Sequence, residues 1–328
     1  MQTVLTIALP FFALIFAGFA AGHFQVLNQA AIKGINSFVF YFALPSLLFL
    51  KMSAIPVIEL FDWRFVAAYS GGGLISYFLC MLLGRLLFGN RLAENALQGM
   101  GAAFPNVGYL GLPLLLSIYG DRATLPAVLV IIFDHLINLT LTTALIEADQ
   151  GKRRSVLGIF RTVIVGLSKN PLIVATTAGV IWGQIHWQLP APVGVFFTLM
   201  GNAAGPCALF ALGATLVGRP ISDNFGEVAL ISGCKLLLHP LATGLIAYEF
   251  LVMDPTLAAI AVIDAALPIA ANVFIISNAY GIYVARTSTA ILVSTIGSMF
   301  TVSILIVALG PTDSKPAAGH LTIEQPAR

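Results

Sequence analysis

Five ionisable side chains fall inside apolar runs, where each needs a reason to be. Asp134 and His135 interrupt "VIIFDHLINLTLTT", with Asn138 four residues after Asp134 and so on the same helical face. Lys235 and His239 are four apart in "CKLLLHPLA", and Asp264 precedes Pro268 by four. Ionisable groups in hydrocarbon are costly and face a cavity or a partner. Asp264 reads as a proton or cation site, or as half of a structural ion pair with Lys235. Lys235 could attract an anion, or neutralise Asp264 when no anion is bound. Asp134 and His135 read as a proton relay, since imidazole titrates near neutral pH, or as a hydrogen-bonded packing cluster. Glu249 is expected near the outer interface, without a function.

The second unusual feature is backbone chemistry. "AAFPNVGYLGLP" (102–113) places two prolines, an asparagine and two glycines in an apolar run, and "AALPIAANVFIISNAYG" (265–281) repeats the theme. In lipid every amide and carbonyl needs a partner, so such a break survives where protein or a wet cavity surrounds it. Pro105 removes a donor and clashes with the carbonyl four residues earlier, and Pro268 does the same in the second run. The half-helices that follow would present free N–H groups, which suit a carboxylate. The candidate substrate-binding residues are therefore Pro105, Asn106, Val107, Gly108, Pro268 and Asn272. The competing reading is a pair of proline kinks in a rigid bundle.

The elements that hold these residues follow from composition. The 328 residues are 59% hydrophobic and 9% charged, against about 25% charge in a soluble domain. Lipid must be the main solvent. A spanning helix needs about 20 apolar residues, and ten candidates emerge: 3–22, 32–52, 63–88, 95–118, 123–147, 170–187, 192–217, 226–250, 256–280 and 286–309. The connection 147–169 contains "GKRRSVLGIF", which could form a helix on the membrane surface. The N-terminus lacks a positive leader region, so the first run is expected to be retained as a span. Ten Lys and Arg fall on the side shared by loops 1–2, 3–4, 5–6, 7–8 and 9–10, against five on the other. That places the first side in the cytoplasm and both termini outside. Trp63, Trp182 and Trp187 fall near span ends, as interfacial anchors. Three cysteines, Cys80, Cys207 and Cys234, offer neither a disulfide framework nor a metal site.

The two halves echo each other. Pro10 matches Pro171 and Pro45 matches Pro206, both at an offset of 161. Pro105 matches Pro268 at 163, and Tyr119-Gly120 matches Tyr280-Gly281 at 161. Five spans per unit is odd, so the second unit enters the membrane from the opposite side, as in many secondary transporters. The expected fold is an all-α integral membrane protein of ten transmembrane helices in two inverted five-helix repeats, with broken helices at spans four and nine. Residues 1–147 form the first repeat, 148–169 a cytoplasmic connecting loop, 170–310 the second repeat and 311–328 a disordered tail.

Several motifs together are specific. "FPNVGYLGLPLLLSIYG" resembles the fourth-span motif of the auxin efflux carrier family. "INSFVFYFALPSLLF", "SKNPLIVATTAGVIW", "KLLLHPLA" and "AALPIAANVFIISNAYG" resemble its other signatures in order, over nearly the whole chain. The short connection after span five is similar to that of bacterial-type members. The resemblance implies a fold related to sodium/bile-acid symporters and sodium/proton antiporters. In that fold spans four and nine cross within a transport domain of spans 3–5 and 8–10, beside a scaffold of spans 1, 2, 6 and 7. It also implies elevator-like transport of organic anions, auxin-like or small mono- and dicarboxylates, usually by homodimers. Asn106 falls on the Asn of the family's first crossover motif, and Asn170 on the Asn-Pro that opens span six.

The expected protein is thus a secondary carrier in the cytoplasmic membrane, with a small organic anion and the bilayer as partners. No nucleic-acid partner, cofactor, metal or catalytic residue is expected, and the coupling ion could be H+ or Na+. No G-x-S-x-G, H-E-x-x-H or Walker-type loop occurs, so an enzyme is not expected. The alternatives are a sodium- or proton-coupled cation exchanger on the same fold, using Asp264 and Asp134, and an intramembrane enzyme or receptor using the Asp/His pair.

Overall fold

The computed structural model describes residues 9–54, 62–151, 155–185, 189–218, 221–222 and 224–310. The expected tail, Trp187 and the basic run 152–154 lie outside the described residues. In chain order the helices are α1 (Leu9–His23), α2 (Gln29–Phe38), α3 (Leu44–Met52), α4 (Trp63–Phe88), α5 (Leu92–Ala103), α6 (Leu112–Tyr119), α7 (Thr124–Asp134) and α8 (Thr140–Asp149). There follow α9 (Val156–Ser168), α10 (Pro171–Ile185), α11 (Ala191–Asn202), α12 (Ala204–Thr215), α13 (Phe225–Gly233), α14 (His239–Gly244), α15 (Pro255–Ala266), α16 (Ala271–Tyr280) and α17 (Val284–Leu309). Extended pairing among the described residues is limited to one isolated antiparallel bridge.

Six helical runs are long and apolar enough to cross a bilayer, or seven if α9 and α10, bent by 65° at their junction, count as one. The ten expected spans are not all recovered by length. One run of 43 residues, Val107–Asp149, covers parts of two of them, α1 and α10 have 15 residues each, and others are divided by breaks. α5, α15 and α16 have 12, 12 and 10 residues, each too short at about 1.5 Å per residue to cross about 30 Å alone. α4 shows an uninterrupted span. It has 26 residues, an Asp62 carboxylate accepting the Arg64 N–H at 2.8 Å, and a left-handed Gly89 at its end (φ 67°).

Three prolines shape the helices in one way. Before Pro45, Pro113 and Pro240 the helix widens to π geometry over Val39–Ala43, Val107–Gly111 and Cys234–Leu238. In each case the residue just before proline donates five residues back: Leu44 to Val39, Leu112 to Val107, and His239 to Cys234. A proline lacks the N–H that would bond four residues back, and its ring clashes with that carbonyl. The wider turn gives the preceding amide a partner and carries the helix past the ring.

Two sets of helices pack closely among themselves. α1 packs on α12, and α3 packs on α10 and α11. A Cβ on Gly18 or Gly213 would lie 1.9 Å from a carbonyl oxygen of the facing helix, so α1 and α12 touch backbone to backbone. In the other set α4 contacts α5 and α14, α14 contacts α15, α5 contacts α8, and α17 contacts α13 and α16. Glu227 of α13, 1% exposed, ties the ends of this second set together. It accepts from Asn90 Nδ2 at 2.7 Å, Gln98 Nε2 at 2.9 Å, Asn224 Nδ2 at 2.6 Å and the Tyr283 hydroxyl, with Arg286 Nε at 3.5 Å. Burial and the Glu227 hydrogen bond push the Tyr283 phenol well above the ordinary tyrosine value, so it stays a donor. The segment expected to lie on a membrane surface is helical from Val156, and it packs on α8 and on residues 135–139.

Candidate functional site

The site begins where α5 stops. The residue before a proline is pushed to extended backbone, and Phe104 obeys, at φ −101° and ψ 100°. Asn106, at φ −85° and ψ 65°, forms an inverse γ-turn, with the Val107 N–H on the Pro105 carbonyl at 3.0 Å. Leu267, before Pro268, is likewise extended, at φ −61° and ψ 154°. The two unwound stretches then pair with each other. The Asn106 N–H donates to the Pro268 carbonyl at 2.8 Å, and the Ala270 N–H to the Phe104 carbonyl at 3.0 Å. A bridge between Pro105 and Ile269 results, and Ser294 Oγ of α17 accepts the Ile269 N–H at 3.1 Å. Each break thus supplies partners for the other, as hydrocarbon requires.

This pairing revises one expectation. The Asn106 and Ala270 amides are occupied by the bridge and are not free for a ligand. The amides of Gly108, Tyr109, Ala271 and Asn272 have no backbone acceptor among the described residues. These four residues line a cavity of about 180 Å3, together with Phe40, Phe104, Asn106, Asp134, His135 and Asn170. Two helix starts therefore face one small space, each bringing orphan donors and the positive end of a dipole.

The side chains refine this polarity. The Asn106 carboxamide, in a residue 7% exposed, has no hydrogen-bond partner among the described residues. Asn170 caps α10, its Oδ1 accepting the Leu172 N–H at 2.9 Å, which leaves its amide N–H groups for the cavity. His135 Nδ1 lies 2.7 Å from the Ile131 carbonyl and therefore donates to it. That leaves Nε2 as acceptor for Asn272 Nδ2 at 3.3 Å. The Phe104 ring holds the imidazole edge-on, with centroids 5.3 Å apart.

Asp134 and His135 are neighbours in sequence but belong to different networks. Asp134 accepts from the Tyr69 hydroxyl at 2.9 Å and from Asn138 Nδ2 at 2.8 Å. Asp264 and Lys235 are both fully buried, outside the cavity wall. Lys235 Nζ donates to His239 Nδ1 at 3.2 Å and to the Ala265 carbonyl. No ion pair within 4.0 Å joins it to Asp264 among the described residues, and neither Asp264 oxygen has a hydrogen-bond partner. Pro268 also stands back from the cavity, placing the break through its carbonyl.

Tyr69 is a site residue that the sequence did not single out. Its signal was the adjoining Gly71-Gly72-Gly73. A Cβ on Gly72 would lie 2.2 Å from Thr243 Oγ1, so the glycines let α14 approach closely, and the His239 ring lies beside Tyr69, tilted by 49° (centroids 5.4 Å apart).

Comparison with known proteins places this geometry. A family model described as "Membrane transport protein" matches residues 3–306. The chain belongs to the auxin efflux carrier family. A Rhizobium meliloti protein named "Putative malonate transporter" is 33% identical over 306 residues, covering 93% of this chain and 96% of the relative. The "Uncharacterized transporter YfdV" of Escherichia coli is 25% identical, covering 91% and 95%. The "Auxin efflux carrier component 8" of Arabidopsis thaliana is 24% identical, covering 88% and 92%. The chain is a multi-pass membrane transporter, and these three relatives are named as transporters or carriers.

Proposed function

We propose that this transporter carries small carboxylates, malonate first among them, by alternating access across the cytoplasmic membrane. The observation that carries the reading is the cavity at the paired breaks. Four orphan amides and the carboxamides of Asn106, Asn170 and Asn272 converge there, beside Asp134 and with no Lys or Arg among the described lining residues. Such a lining holds an anion by hydrogen bonds and helix dipoles. A volume near 180 Å3 is about six waters at roughly 30 Å3 each, enough for a carboxylate of a few carbons. The malonate name of the R. meliloti relative agrees with that size.

The architecture we favour is ten spans in two inverted repeats, α5 with α6 and α15 with α16 forming the crossed pair. In support, the breaks recur at an offset of 163 and bond to each other. The helices packed around α1, α3 and α12 would serve as scaffold, in a homodimer, and the set tied by Glu227 would move as the elevator. The excess of Lys and Arg on one side favours termini outside. Thermal unfolding of the purified protein tests the ligand. Malonate raises the midpoint and indole acetate raises it less. No shift with any mono- or dicarboxylate, against a shift with sodium alone, would favour a cation exchanger instead.

A further inference from the structure

Asp264 is fully buried, and neither of its oxygens has a hydrogen-bond partner. We propose that Asp264 is the proton-binding site of a proton–carboxylate symporter, which rests on the carboxylate reading above and adds its coupling ion. The groups facing Asp264 are Asp134 from α7, Tyr69 from α4, and Lys235 and His239 from residues 234–244. α17 adds only Arg286, engaged at its far end with Glu94 and Glu227, and Glu249 on the remaining neighbour is exposed. Within this enclosure stand two carboxyl groups and one ammonium.

Hydrogen bonding decides which carboxyl is charged. Asp134 has two donors, Tyr69 and Asn138, so it is the carboxyl of the two that ionises more readily. It would balance Lys235, although no ion pair within 4.0 Å joins them among the described residues. Asp264 has none, and an ionised carboxylate without donors in a dry interior is far costlier than a neutral acid. A sodium ion in place of the proton would need several further oxygen ligands beside the Asp264 carboxyl. Lys235 already takes the adjacent Ala265 carbonyl.

The same charge count couples the proton to the substrate. With Asp264 protonated the enclosure is neutral, and an anion can enter the cavity beside Asp134. With Asp264 ionised it carries one net negative charge and repels the anion. Contact reinforces this link. A Cβ on Gly111 would lie 3.2 Å from Asp264 Oδ1, so the turn whose start lines the cavity at Val107 and Gly108 ends against the carboxyl. One proton and one carboxylate then travel together, bound on one face of the membrane and released on the other.

The test uses the full-length protein in proteoliposomes with malonate as probe, a pH dye inside and the membrane potential clamped at zero. Malonate entry is expected to acidify the lumen, and a one-unit pH gradient, acid outside, to hold about a tenfold malonate gradient. Both proton signals should vanish in Asp264→Asn. Malonate entry without acidification in the wild type overturns the proposal, whether or not the variant folds. So does a requirement for sodium, or acidification that persists in a folded variant. Absence of malonate transport in the wild type would refute the carboxylate reading, and infrared spectroscopy then decides the proton site separately. A protonated carboxyl band at neutral pH that Asp264→Asn removes supports it, and its absence from the wild type overturns it.

Discussion

Asn106 uses its backbone N–H to pair the two breaks and keeps its carboxamide for the cavity. Removing the carboxamide leaves the pairing intact. Asn106→Ala should therefore weaken malonate binding about 10- to 100-fold, the worth of a hydrogen bond to a charged group at about 1.5–3 kcal/mol, as read by titration calorimetry. Glu227→Ala acts differently, since it strands Asn90, Gln98, Asn224 and Tyr283 together with Arg286. A loss of about 3–5 kcal/mol of stability is expected, seen as a lower thermal midpoint with malonate affinity unchanged in the folded fraction. Asn106, Asn272, Asp134 and His135, which line one cavity, stood out in the sequence as polar groups in or beside broken apolar runs, whereas Asn170 on the same wall was marked only by the family resemblance. The pairing of Lys235 was not legible. Spacing along one helix sets the face of a side chain, but the distance to Asp264 on another helix depends on how the two pack.

At the scale of elements, glycines and prolines carry the information. Gly72 lies against Thr243 with no room for a methyl group. Gly72→Ala should push α4 from α14 and destabilise by about 1–3 kcal/mol, lowering the unfolding midpoint in detergent, whereas Gly233→Ala, at a helical position where nothing lies within 4 Å, should leave it unchanged or raise it slightly. The breaks at Pro105 and Pro268 could be read from the sequence, since proline there has a fixed effect on the residue before it. The π turns before Pro45, Pro113 and Pro240 could not. A proline announces a lost hydrogen bond, but tertiary packing selects between a kink and a widened turn. For the same reason the count of ten spans outran the six or seven that pass on length alone. In the proposed ten-span architecture, the broken spans would reach their length only as pairs of half-helices.

For the whole molecule, the expectation is that two packed sets of helices move past each other. Lys51, at the end of α3, meets Asp121, after α6, at 2.6 Å. Its partial exposure limits this ion pair to at most about 1 kcal/mol, too little to oppose the proposed movement. Spin labels on α10 and α5 should change separation when malonate is added, while labels on α10 and α3 should not. The central claim is that the cavity between the paired breaks binds the carboxylate and carries it. The most direct measurement is counterflow of labelled malonate in proteoliposomes, comparing the wild type with an Asn106→Ala protein of equal thermal stability. Saturable exchange in the wild type, reduced at least about tenfold in the variant at malonate concentrations below half-saturation, is the predicted result. Exchange at wild-type rates in Asn106→Ala would contradict it.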